Sequence, residues 1–234
     1  MAAGEAGSSS RVVFDRDLNN LRADVLRLGD MVASARDRSL TALREHDVTL
    51  AEEIIEQDAE VNALRFQIEE ACLSMIATQQ PAARDLRAVV AAMSMASDME
   101  RMGDHAAGIA KVVLRIGEKG VGEFPRSLTQ MAELVGEMHD RALEAYAQGD
   151  DDLAYKVASQ DDLIDDYYHA LFGELVEMMV QEPGATATGV YLMFVGHNLE
   201  RIADRVTNLA ERVIFMSSGR MEELNPEPGL TDTN

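Results

Sequence analysis

From Asp15 onward, apolar residues return at helical intervals. Leu18, Leu21, Val25, Leu28, Val32 and Ala35 follow a 3-4-3-4-3 rhythm, which collects them into one stripe of a bundle helix. The stripe predicts a helix to about Glu45. A second helix carries Leu50, Ile54, Val61, Leu64, Ile68, Ala71 and Met75 on one side. It should stop at "QQP", because Pro81 biases Gln80 away from helical dihedrals. Pro81 can then open a third helix in its first turn, carrying Leu86, Val89, Met93, Ala96, Ala107, Ala110 and Leu114. Three glycines and a proline in "GEKGVGEFP" end it.

The plan then restarts. A fourth helix is predicted from about Pro125 to Ala147. After "QGDDD", a fifth carries Leu153, Val157, Ile164, Leu171, Leu175 and Met178, and after "QEPGAT" a sixth runs to about Met216. No segment alternates with period two over strand length. The expected fold is all-α: six long helices forming two tandem, pseudo-symmetric three-helix bundles. Residues 1–13 are expected as a loose tail, 14–120 and 121–218 as the two repeats, and 219–234 as a second disordered tail. The repeat is visible residue by residue. Glu100, Arg101, Asp104, Ala110 and Val113 match Glu200, Arg201, Asp204, Ala210 and Val213 at an offset of 100, and "EQDAEVN" (56–62) matches "SQDDLID" (159–165) at 103. The change in offset falls at the Pro81 and Pro183 loops, where insertions are tolerated.

Composition narrows the function. Aromatics are 5% and Trp is absent, which suits helices packed with Leu, Val, Ile, Met and Ala. Asp plus Glu is 42 against 21 Lys plus Arg, a net charge of −21. So acidic a chain repels nucleic acid and anionic membrane, should attract cations or basic partners, and is not expected to take phosphate directly. No basic patch is evident in the sequence. The single cysteine, Cys72, excludes an intrachain disulfide and reads as a small buried residue. The N-terminus lacks an apolar signal-peptide core, and no apolar run reaches transmembrane length. A soluble cytoplasmic protein is expected.

Against this background, acids interrupt the apolar stripes. Glu100 follows Met93 and Ala96, Glu200 follows Met193 and Gly196, Asp58 lies between Ile54 and Val61, and Asp161 lies between Val157 and Ile164. Residues four apart share a helix face, so Asp104 accompanies Glu100 and Asp204 accompanies Glu200. Small neighbours (Gly103, Ala107, Gly196, Ala203) leave room. Clustered carboxylates need protonation, an arginine or a cation. An ion pair between neighbours such as Glu200 and Arg201 is not favoured on a helix, which leaves Arg84, Arg87 and Arg205 as candidates. Oxygen-only ligands suit hard ions. The Glu-x-x-His di-iron signature is absent. The plain alternative is that these acids form inter-helix ion pairs or line a solvated groove. His105 and His197 flank the acid pairs without repeating. His46, His139 and His169 belong to no constellation, and Tyr167 and Tyr168 read as core and rim.

The stretches "QDAEVNALRFQIEEACLSMIATQQPAARDLR" (57–87), "DMERMGDHAAGIA" (98–110) and "NLERIADRVTNLAE" (198–211) resemble the PhoU family of bacterial phosphate-signalling proteins, a likeness extending over about residues 11–218. The resemblance implies a non-enzymatic, often homodimeric cytoplasmic regulator that restrains phosphate uptake and the phosphate regulon. It implies an adaptor between the ATPase subunit of a phosphate ABC transporter and a phosphate-sensing histidine kinase, peripheral to the membrane only through those partners. Some relatives bind metal clusters through the acidic motifs. Carried over, the ligands would be Asp58, Glu100, Asp104, Asp161, Asp165, Glu200 and Asp204, holding a divalent or trivalent ion: iron, manganese, magnesium, calcium or zinc. The first half has Asn62 where the second has Asp165. A metal-dependent hydrolase or phosphatase using the same carboxylates is the alternative.

Overall fold

The computed structural model describes residues 2–116, 120–221 and 223–224, with side chains from Arg11 onward. Its helices are α1 (Ala2–Glu45), α2 (Val48–Gln79), α3 (Arg84–Val113), α4 (Arg126–Gln148), α5 (Asp151–Ala158), α6 (Asp161–Gln181) and α7 (Thr186–Ser218), with a 3-10 turn at Pro183–Ala185. No strand occurs among the described residues. The helices α1, α2 and α3 pack on one another, as do α4, α5, α6 and α7. The fold is therefore all-α and built of two three-helix bundles, with α5 and α6 sharing the place of one helix.

Three boundaries depart from the sequence reading. Helix α1 begins at Ala2, so the segment expected as a loose tail is helical from there. Phe14 is buried, and Arg11 pairs with Asp15 one turn on and with Asp85 at the start of α3. These contacts hold the first turns whose side chains are described. At the other end, Leu224 N–H donates to Glu211 Oε1 at 2.9 Å. Residues 222 and 225–234 of the expected C-terminal tail lie outside the described residues. Second, Pro81 does not open α3. Gln80 (φ 48°) ends α2 in the left-handed region, and Ala83 (φ 49°) turns the chain again before Arg84. Each such positive-φ non-glycine residue costs about 1–3 kcal/mol, offset by the packing of the two helices it joins.

Third, the predicted fifth helix breaks. Ser159 Oγ donates to Lys156 O at 2.9 Å, and Gln160 N–H reaches only three residues back, to Val157 O at 3.0 Å. Serine competes in this way for backbone groups. The helix restarts at Asp161, which now stands in a first turn. There the unpaired amides favour a negative charge. Its counterpart Asp58 lies in the middle of α2.

The duplication extends to the turns. His46 (φ 56°) and Gly149 (φ 67°) end α1 and α4 in the left-handed region. The next residues, Asp47 and Asp150, donate backbone N–H to Ala42 O and Ala145 O, at 2.9 and 3.0 Å. The same two aspartates cap α2 and α5, accepting from Leu50 N and Leu153 N at 2.9 and 3.0 Å. Such caps contribute about 1 kcal/mol each.

The bundles lie side by side, joined mainly through α3 and α7. Asp98 faces Arg205 and Asn208, while His105 and Gly108 face Asn198. Partners thus run backward along α7 as they run forward along α3, so the two helices are antiparallel. The pairs also exchange under the repeat offset: Asp98 corresponds to Asn198, and His105 to Arg205. A pseudo-twofold axis therefore passes between α3 and α7, perpendicular to the plane of the pair. The α1–α4 contact repeats this symmetry. Arg36 donates to His139 Nδ1 at 3.0 Å, and the two residues are 103 apart, equivalent positions meeting at the dyad. Met95, Met99 and Met102 are fully buried beneath the joint, each contributing about 1.5–3 kcal/mol.

Candidate metal centres

The acidic residues occupy the solvent edge of each seam. Helix α3 buries Met99, Met102, Gly103, Ala106 and Ala107, and Glu100 is half-buried on the rim. Asp104 and Asp165 are exposed, while Asp58, Asp161, Glu200 and Asp204 are half-buried. The expectation of carboxylates pointing into the core is thus corrected. Glu100, Asp104, Glu200 and Asp204 lie about 100–140° around their helices from Met99 or Leu199, because a rotation of one or five residues separates them. The pseudo-twofold relates the two clusters, one on each flank of the α3–α7 pair.

In the second half four carboxylates share one field. Burial pushes Asp165, Glu200 and Asp204 upward from their ordinary carboxylate range. After burial, Asp161 and then Asp204 act on Asp165, Asp204 acts on Glu200, and Asp161 also raises Asp204. Arg201 opposes the rise in Asp204, to which it donates at 2.9 Å. That pair, and Arg201 Nε at 3.4 Å from Glu200 Oε2, correct the expectation that neighbouring arginines would not engage. Even so, Glu200 Oε2 is buried without a hydrogen-bond partner, the His197 Nδ1 at 3.5 Å being too distant. Thr207 Oγ1 donates to Asp161 Oδ1 at 3.2 Å. Gly196 eases this assembly: a Cβ there would meet Leu171 Cδ2 at 2.5 Å, so Leu171 would have to shift where α6 packs on α7.

The first half is sparser. Burial, then the charge of Asp104, raises Asp58, and Lys111 opposes. Asn62 Nδ2 donates to Asp58 O at 3.1 Å and to Oδ2 at 3.2 Å, where the second half presents another carboxylate. Gly103 brings α3 against α2, its absent Cβ leaving 3.5 Å to Asp58 Oδ1. A cavity of about 310 Å³ opens beside Asp58, between α1 and α2.

A hard cation fits the second cluster by donor type and by the buried Glu200 Oε2, which has only the Arg201 ion pair and no hydrogen-bond partner. The first fits less fully, because Asn62 already satisfies one Asp58 oxygen. Among the described residues no three His, Cys, Asp or Glu side chains converge on one ion position as they stand. The other candidates are placed elsewhere. Arg205 reaches Asp98 at 3.4 Å, Arg87 donates to Met216 O, and Arg84 is at the far start of α3. Cys72 is buried, its thiol pushed up to about 12 by burial. His139, assigned no constellation from sequence, is buried with Arg36, and its Nε2 has no partner. The repeat alignment could have found that pair, since it sets the two positions opposite each other.

Comparison with known proteins supplies the rest. The model of the PhoU domain matches this chain twice, over residues 25–113 and 128–213. The chain belongs to the PhoU family. The PhoU homologue of Streptococcus pneumoniae serotype 4, named a phosphate-specific transport system accessory protein, is 38% identical over 213 residues, 91% of this chain and 98% of that one. The homologue of Zymomonas mobilis with the same name is 39% identical over 219 residues, covering 93% and 92% of the two chains. The crystal structure of the phosphate transport system regulatory protein PhoU from S. pneumoniae superimposes with a TM-score of 0.83 at 35% identity, over 89% of this chain and 99% of that one. The two matched segments carry every carboxylate of the two clusters. No helix among the described residues is long and apolar enough to cross a membrane.

Proposed function

We propose that this chain is a cytoplasmic accessory regulator that restrains phosphate uptake. It would act as an adaptor between the ATPase subunit of a phosphate ABC transporter and a phosphate-sensing histidine kinase. The supporting observation is the relationship to accessory and regulatory PhoU proteins over most of the chain, together with the paired, symmetry-related acidic clusters. In this reading Glu200, Asp204, Asp161 and Asp165 hold a metal ion in the second cluster, and Glu100, Asp104 and Asp58 hold one in the first. When bound, the ion neutralises the facing carboxylates and braces α2 against α3 and α6 against α7.

Deletion is expected to derepress phosphate-uptake genes in phosphate-rich medium. Wild-type complementation should restore repression, and a Glu100→Ala/Glu200→Ala chain should restore it less well. Unchanged reporter output on deletion removes the regulatory role. Metal-dependent turnover of a phosphate ester, lost in the same variant, would favour the hydrolase alternative. Co-purification of the transporter ATPase and the kinase with the tagged chain tests the adaptor role separately.

A further inference from the structure

Away from the acidic face, α1, α3, α4, α5 and α7 converge around a small cavity of about 170 Å³. Arg22 and Arg84 line it, and neither makes a hydrogen bond or ion pair among the described residues. The same two arginines line a second cavity beside it, of about 260 Å³, with Arg11. Although Asp151 lines the same cavity and Asp85, held by Arg11, lines the second, two arginines that pair with no carboxylate stand out at one spot on a chain of charge −21. Neither is close to the other in sequence, which is why no basic patch is evident there. Tyr146 also lines the cavity, is only 4% exposed, and its hydroxyl makes no hydrogen bond among the described residues. Burial raises that hydroxyl above its ordinary range, and the Arg22 charge opposes the rise, so the two groups lie within electrostatic reach. The hydroxyl is thus a free donor at the cavity wall.

The cavity holds one acceptor as well. Asp151 takes a hydrogen bond from Ser217 Oγ on Oδ2, but its Oδ1 is buried and unpartnered. A fully ionised anion would be repelled by that oxygen, whereas an oxyanion that keeps a proton can donate to it. The size lies below the roughly 300–1,000 Å³ of pockets for drug-sized ligands. We infer that this cavity is a binding site for a small protonated oxyanion of the hydrogen phosphate type. Arg22, Arg84 and Tyr146 donate to its oxygens, and Asp151 accepts its proton. The site does not depend on the metal clusters or on the adaptor role.

The test is isothermal titration calorimetry of the metal-stripped full chain with inorganic phosphate and, separately, sulfate, near neutral pH and at low ionic strength. Saturable phosphate binding is expected. It should weaken roughly ten- to a hundredfold in Arg22→Ala/Arg84→Ala, and by about tenfold or less in Tyr146→Phe. Glu100→Ala/Glu200→Ala should leave it unchanged, which excludes residual metal as the binder. Sulfate should bind more weakly than phosphate, and Asp151→Asn should erase that difference. Circular dichroism checks that each variant is folded, and the two exposed arginines make the double variant the safest. Absence of saturable phosphate binding, or equal binding by the arginine variant, overturns the site. Arginine-dependent binding that treats sulfate and phosphate alike overturns the assignment of a protonated ligand.

Discussion

Single carboxylates explain why the acidic face is sensitive to its surroundings. Glu200 and Asp204 are 19% and 35% exposed at the side chain, too open for a large penalty and too crowded for none. A carboxyl raised on folding is no burden below its unfolded value near 4.5, where both states are protonated. As pH climbs past that value, the unfolded chain ionises first and folding loses stability. Glu200→Gln should therefore raise the melting temperature of the chelated protein at pH 7 and change it little near pH 4. Equal effects at both pH values, read by differential scanning fluorimetry, would show that Glu200 feels no such field. His139 has the opposite sign. Burial, then the Arg36 charge, lowers it to about 3 from 6.5. Its contribution is full above pH 6.5 and is lost as pH falls toward 3, because only the unfolded imidazole takes up a proton. His139→Gln should flatten that acid limb. Arg36, only 2% exposed, holds the pair, and Arg36→Met should cost about 1–3 kcal/mol by leaving the His139 acceptor unsatisfied.

Helices and their contacts were the part most readable from sequence. The 3-4 rhythm of Leu18 to Ala35 and the offset between Glu100 and Glu200 are enough for helix number, order and duplication, because a bundle helix must bury one stripe. Periodicity could not show how wide that stripe is. Helix α3 packs against α1, α2 and α7, and its buried face centres on Met95, Met99, Met102 and Ala106, so Glu100 falls on the rim. Nor could periodicity reveal the Ser159–Gln160 break, since Val157 and Ile164 keep their phase across it. The arginine cavity was hidden for a different reason: its residues come from distant segments that only the packing of both halves brings together. The α6–α7 contact gives an element-level test. Gly196→Val places atoms where Leu171 already sits and should cost about 1–3 kcal/mol by overpacking. It should also part Asp165 from Glu200, so that added divalent cation stabilises the variant less than the wild type. Identical cation-induced shifts in melting temperature would dissociate Gly196 from the second cluster.

For the whole molecule, the pseudo-twofold axis is the organising feature. It relates Asp98–Arg205 to Asn198–His105, makes Arg36 and His139 neighbours, and relates the two acidic clusters to each other. The halves are not equal, however. Asn62 replaces a carboxylate in the first, and a helix start supports Asp161 in the second, so the second cluster is the stronger cation site. The decisive measurement is metal content per chain, by mass spectrometry after chelation, reloading and desalting. Wild type, Glu100→Ala/Asp104→Ala, Glu200→Ala/Asp204→Ala and the quadruple variant would be compared. We expect the second pair to remove more bound metal than the first, and the quadruple variant to retain none. Retention of wild-type metal by a folded quadruple variant would contradict the assignment of both clusters.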